Sequence, residues 1–139
     1  MSELRWPRNG GSFSARNGNN GCVLAERVGT AATRRARAIG LLRHNALPKG
    51  EGLWIVPSRG VHTFGMRFAI DVVALDDRGR IIDLVANMRP WRLRLPRPGC
   101  LGVLELPAGT IALSGTRLGD AVVFDLVRDD PYVTDDRVA

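Results

Sequence analysis

The sequence predicts a mainly-β (α+β) chain, a compact barrel- or sandwich-like antiparallel domain with one helix near residues 31–43. Three observations carry this prediction. From Gly52 onward, short runs rich in Val, Ile, Leu and aromatic residues recur, and each is ended by Gly, Pro or Asp. Only one stretch of the chain repeats its apolar residues at helical spacing. With 139 residues, 45% of them hydrophobic, the chain falls in the range where one hydrophobic core normally forms and a second would be undersized, so one domain is the default.

Taken in order, residues 1–20 hold Gly10-Gly11, Asn17-Gly18 and Asn19-Asn20 among few apolar side chains. Such a segment buries too little surface to offset its ordering entropy, which predicts a flexible tail. Residues 22–28 are β-branched and apolar enough for a first strand, which Gly29-Thr30 should break. Ala36, Ile39 and Leu42 then fall three residues apart behind a threonine cap, with arginines on the opposite face, and this is the predicted helix. Strands follow at residues 52–56, 61–64, 70–75 and 80–85. Asp76-Asp77-Arg78-Gly79 should join the last two as a tight hairpin. Further strands are predicted at residues 103–106, 110–113 and 121–127, punctuated by Pro107, Gly109, Gly115 and Gly119-Asp120. Residues 21–128 read as one globular domain and 129–139 as a polar tail.

Composition excludes several classes. No apolar run approaches the roughly 20 residues that span a bilayer, and the N-terminus lacks the apolar segment of a secretory signal, so a cytoplasmic location is expected. Cys22 and Cys100 are too few for a disulfide framework and read as reduced thiols in or near the core. The net charge of +6 is uneven, with seven basic and two acidic groups in residues 21–60 and three basic and seven acidic in 101–139. Arg34, Arg35 and Arg37, together with the stretch from Arg89 to Arg97, therefore form a candidate surface for nucleic acid or another anion. The plainer reading is a solvated face, because Lys49 is the sole lysine and arginine is used almost everywhere a cation occurs.

Enzyme signatures are missing: the sequence has no phosphate-cradling GxxxxGK loop, no GxSxG turn, no HExxH and no CxxC. Two histidines, His44 and His62, do not make a multi-histidine metal site. No catalytic residue, metal or cofactor is predicted. The chemically richest stretch runs from His62 to Asp71 and mixes imidazole, hydroxyl, aromatic, thioether, guanidinium and carboxylate groups. His62, Thr63, Phe64, Met66, Arg67 and Asp71 are candidates to line a ligand cleft, against the alternative that Phe64, Met66 and Phe68 alternate into the core. Asp71 lies in an apolar strand and must find solvent, an arginine or backbone N–H groups, and Glu105 poses the same question. Trp54 and Trp91 are either core anchors or stacking platforms. Arginines at every second position around Trp91, with prolines at 90, 96 and 98, favour an edge strand or loop there.

The ordered blocks Gly50-Glu51-Gly52-Leu53-Trp54-Ile55, His62-Thr63-Phe64-Gly65-Met66-Arg67, Ile70-Asp71-Val72-Val73 and Leu104-Glu105-Leu106-Pro107-Ala108-Gly109, the last ahead of Gly119-Asp120, resemble the bacterial and archaeal family known as domain of unknown function 192. The likeness runs from about Val23 to Val127 and includes the helical stretch from Thr33 to Leu42. Where that family commonly carries a Trp-Met-Lys-Asn-Thr type of segment, this chain has Phe64-Gly65-Met66-Arg67-Phe68-Ala69. The resemblance implies a mainly-β fold with one helix, relatives that are often exported or membrane-anchored, and attention to Asp71, Glu105, Gly109, Gly119 and Asp120. The functional expectation is a non-catalytic module binding a ligand or partner through the face from His62 to Asp71, with Trp54, Trp91 and Glu105. The alternatives are a cofactor-free hydrolase or lyase using Asp71, Glu105 and His62, and an arginine-based binder of nucleic acid or anionic surfaces.

Overall fold

In a computed structural model of the chain, the structure describes residues 6–7, 11–30, 47–58, 60–95 and 98–129. Nine strands are described: β1 (Gly11–Asn17), β2 (Val23–Thr30), β3 (Glu51–Ile55), β4 (Val61–His62), β5 (Ile70–Leu75), β6 (Ile81–Met88), β7 (Leu93–Arg94), β8 (Gly102–Pro107) and β9 (Val122–Asp129). One short helix, α1 (Thr110–Ser114), accompanies them. Seven strands form one sheet in the order β6-β5-β8-β3-β2-β1-β9, and β4 and β7 form a separate two-stranded ribbon. All pairings are antiparallel except β2 with β3. A parallel pair needs a crossover between its strands. The helix predicted near residues 31–43 falls between these two strands in sequence and lies outside the described residues.

The sheet curls into a half-barrel. Its two edge strands approach each other where Ile81 N–H donates to the Asp120 carbonyl and Val122 N–H to the Gly79 carbonyl, each at 2.8 Å. The concave side holds the main core, in which Phe13, Trp54, Val73, Leu104, Leu106 and Phe124 pack together and Trp6 stacks on Trp54 with ring centroids 5.2 Å apart. On the other side of β5, β8 and β3, a second core gathers Ile55, Val61, Met66, Ile70, Val72, Met88 and Val103. Covered on both faces, β5 is buried at every residue. That is why Ile70 to Leu75 reads as a nearly unbroken apolar run rather than an alternating one.

The hairpin at Asp76 to Gly79 forms as expected. Asp76 Oδ1 accepts the N–H groups of Arg78 and Arg80 at 2.9 Å, an aspartate side chain closing its own turn. Three local expectations are overturned. The first twenty residues are not all tail, because β1 lies between β2 and β9 with Phe13, Ala15 and Asn17 buried. Three inward side chains at alternate positions suffice to seat a strand, however polar its neighbours. Gly29-Thr30 does not end the first strand, since both pair with β3 opposite Leu53 and Trp54. Finally, residues 110–113 are helical rather than extended. Gly109 and Gly115 bracket α1 with φ of 98° and 64°, a backbone that turns the chain sharply on both sides, and the residues facing the core are Ile111 and Ser114, one helical turn apart.

Candidate functional site

The ribbon of β4 and β7 carries most of the exposed chemistry. Val61 pairs with Arg94 and His62 with Leu93. Cross-strand partners share a face, so Val61 enters the second core while His62 and Leu93 look outward. Thr63, fully buried, fastens the ribbon to the loop before β7. Its hydroxyl donates to the Arg89 carbonyl at 2.6 Å and accepts the Arg92 N–H at 2.9 Å. Its backbone N–H donates to the Arg92 carbonyl at 2.9 Å, and its carbonyl accepts the N–H of Trp91 at 3.0 Å. Arg94 adds a second tie, with Nε and one terminal amine each 2.8 Å from the two carboxylate oxygens of buried Asp83. That hydrogen-bonded pairing raises the Arg94 pKa above its ordinary value.

On this frame three rings stack in series. His62 and Phe64 have centroids 5.1 Å apart and planes 26° from parallel, and Phe64 and Trp91 are 6.2 Å apart at 27°. Phe64 is 48% exposed and Trp91 67%, and Leu93 and Leu95 extend the apolar surface. Trp91 also holds φ at 63°. A bulky residue in the left-handed region costs about 1–2 kcal/mol unless something fixes it there. Here the Thr63 bonds on either side fix it. Arg67, Arg89 and Arg92 are exposed nearby in sequence and form no ion pair with a described residue.

The other predicted residues fall elsewhere. Trp54 is 1% exposed at the centre of the main core, against Trp6 and Phe124. Met66 belongs to the second core. Asp71 is fully buried; its Oδ1 accepts the Asn87 N–H at 2.7 Å and its Oδ2 the Ile111 N–H at 2.8 Å. It therefore supplies the hydrogen bond that α1 lacks at its own N-cap. Glu105 is buried opposite Val72, whereas Asp71 lies opposite Leu106. Adjacent strand positions face opposite ways, so the two carboxylates occupy opposite faces of the sheet, and His62 sits exposed on the ribbon. The convergence that a hydrolase or lyase would need is thus not formed. Among the described residues no three His, Cys, Asp or Glu side chains form a metal-holding group.

Two features went unread in the sequence. Leu93 and Leu95 continue the exposed row of Trp91 at every second position, a signal visible once Arg92 and Arg94 are recognised as the intervening residues. Asn17 is the centre of a buried polar knot: its amide donates to Thr116 Oγ1 at 3.1 Å and Asp120 Oδ2 at 2.9 Å, and its oxygen accepts the Asn19 N–H at 2.8 Å. Both cysteines are free, and Cys22 is exposed rather than near-core. The Cys100 thiol is half-buried 3.1 Å from the Ser58 carbonyl, and burial, aided by the negative charge of Asp83, pushes its pKa up.

The fold places the chain among half-barrel β domains, and on this one an aromatic ribbon lies to one side. The family model for domain of unknown function 192, described as "Uncharacterized ACR", matches residues 15–124, and the chain belongs to that family. A UPF0127 protein of Thermococcus sibiricus is 32% identical over 79 residues, 53% of this chain and 51% of its own length. A UPF0127 protein of Pyrococcus abyssi is 32% identical over 91 residues, 62% of this chain and 75% of its own. The chain thus spans about half the length of the first relative and three quarters of the second. These relatives are archaeal. The crystal structure of a protein of unknown function from Novosphingobium aromaticivorans superposes with a TM-score of 0.67 at 24% identity, over 80% of this chain and 82% of that one, a likeness of fold. No described helix is long and apolar enough to cross a membrane.

Proposed function

We propose that the protein is a non-catalytic binding module whose ligand or partner docks on the ribbon face formed by His62, Phe64 and Trp91. One observation carries the reading: Trp91 is 67% exposed, caps a stack of three rings and is held at φ 63°. An exposed indole gains nothing from the core, so neither its exposure nor its backbone strain is repaid by burial, and such strain concentrates at functional sites. The rigid, amphipathic ring surface offers contact area at little entropic cost. Beneath it, Thr63 and the Asp83–Arg94 pair position the platform without touching the ligand.

The test is a thermal-shift screen of sugars, nucleotides, peptides and metals against the parent chain, Trp91→Ala, Phe64→Ala and the remote surface variant Leu113→Ala. A shift lost in the two ribbon variants and kept in Leu113→Ala supports the reading. A shift that survives both ribbon variants removes the binding face from the ribbon. Trp54→Ala and Asp71→Asn are unsuitable probes, because both residues are buried and their loss lowers stability on its own account.

A further inference from the structure

Resting on that reading, we infer that the occupant of the ribbon is a nucleobase carrying a phosphate, supplied by a single-stranded nucleic acid or by a free nucleotide. Two independent observations meet here. The rings of His62, Phe64 and Trp91 form a stack in which neighbouring planes lie 26° and 27° from parallel, and it ends on an indole that is mostly exposed. A flat ring extends such a stack by one member, and every base has a π-face to offer. A sugar or an aliphatic chain matches that geometry less well than a planar heterocycle.

The second observation is charge. Residues 61–69 and 89–95, which hold the ribbon strands and the loops beside them, contain His62, Arg67, Arg89, Arg92 and Arg94 and no aspartate or glutamate. Arg94 is committed to Asp83. Arg67, Arg89 and Arg92 are exposed and make no ion pair with a described residue, and Arg89 and Arg92 lie two residues before and one residue after the stacking indole. An anion attached to the stacked ring fits that arrangement, and guanidinium groups chelate phosphate oxygens in pairs.

The experiment uses the full chain, with fluorescence anisotropy on labelled oligo(dT) and oligo(dA) and calorimetry with AMP. Trp91→Ala should weaken binding about 10-fold or more, the usual consequence of removing a stacking partner, while the denaturation midpoint moves little. Binding to a strand should fall with salt at a slope of about −0.7 per phosphate neutralised. Between about 50 and 200 mM salt that amounts to roughly 7-fold for two arginine contacts and roughly 18-fold for three. Arg89→Ala and Arg92→Ala should each reduce the slope by about 0.7. Strand binding much tighter than AMP assigns the site to single strands, and equal affinity for both assigns it to the free nucleotide. The inference is overturned if neither binds at low salt, if binding ignores Trp91→Ala, or if phosphatidylserine vesicles bind and nucleotides do not. A neutral sugar or peptide whose binding is lost in Trp91→Ala would leave the ribbon as the binding face and sink only the nucleotide assignment.

Discussion

Replacing Asp71 with asparagine tests whether this residue is architecture or chemistry. Its carboxylate is fully buried and accepts two backbone N–H groups, from Asn87 at 2.7 Å and Ile111 at 2.8 Å, one on each oxygen. Asparagine keeps one acceptor and turns an NH2 group toward the other N–H, so one hydrogen bond is lost and one buried donor is left unmet. A hydrogen bond to a charged group contributes about 1.5–3 kcal/mol, and an unsatisfied buried donor costs about 1–3 kcal/mol in overlapping accounting, which puts the loss at about 2–3 kcal/mol. At about 2.1 cal/mol/K per residue, a chain of this length has an unfolding entropy of roughly 0.3 kcal/mol/K, so Tm should fall by roughly 7–10 °C. Asp71→Ala, which abandons both donors, should cost about 3–5 kcal/mol. Guanidinium denaturation with a common m-value measures the difference. An asparagine variant within about 0.5 kcal/mol of the parent would refute the assignment, as would a binding defect in Asp71→Asn with no loss of stability.

Three further predictions follow from the packing, the polar knot and the thiols. Gly102→Ala should destabilise by at least about 1–3 kcal/mol and disturb the near-ultraviolet signal of tryptophan, because the added methyl would sit 2.6 Å from the Trp54 ring and 2.7 Å from the Ile55 carbonyl oxygen; an unchanged midpoint would mean that the ring moves aside freely. The Asn17 amide, helped by the Arg117 N–H, holds the Asp120 carboxyl below the usual carboxylate range, so its contribution is complete above about pH 4 and is lost as pH falls through the lower folded value. Asp120→Asn should flatten the acid limb of the stability curve while retaining both hydrogen bonds to that oxygen, and an unaltered acid limb would assign the titration elsewhere. A thiol reagent should modify exposed Cys22 quickly and Cys100 only slowly until the chain unfolds, with equal rates contradicting the half-buried, raised-pKa thiol.

Much of the strand pattern was legible because apolar runs and turn residues act locally. Asp76 closing its own hairpin depends on five consecutive residues, and so a sequence reading finds it. What escaped was set by distant partners. Nothing near Gly11–Asn17 announces a strand, because its pairing comes from β2 and from β9 at the far end of the chain. Residues 110–113 alternate like a strand, and the helical turn there is favoured by Asp71, forty positions away, accepting its second N–H. The candidate list was divided by the same physics. His62, Phe64, Arg67 and Trp91 reached the surface, whereas Trp54, Met66, Asp71 and Glu105 went into two cores on opposite sides of one sheet. A linear stretch cannot reveal that division, since it depends on which strand covers which face.

Thr63 separates the presence of the aromatic side chains from their arrangement. Valine has nearly the same shape, fills the same buried space and removes only the hydroxyl, so the Arg89 carbonyl and the Arg92 N–H lose their partner while every ring of the stack remains. The loop on either side of Trp91 is then free to relax, and an indole held at φ 63° has about 1–2 kcal/mol to gain by leaving the left-handed region. Thr63→Val should therefore raise hydrogen exchange across residues 89–94 and abolish ligand shifts that depend on Trp91, although Trp91 itself is intact. Thr63→Ser restores the hydroxyl and should recover both. If valine loosens the loop and binding persists, the face works without the strained geometry, and the argument from strain to function fails. If valine changes neither, the remaining backbone bonds of Thr63 to Trp91 and Arg92 are sufficient to hold the platform.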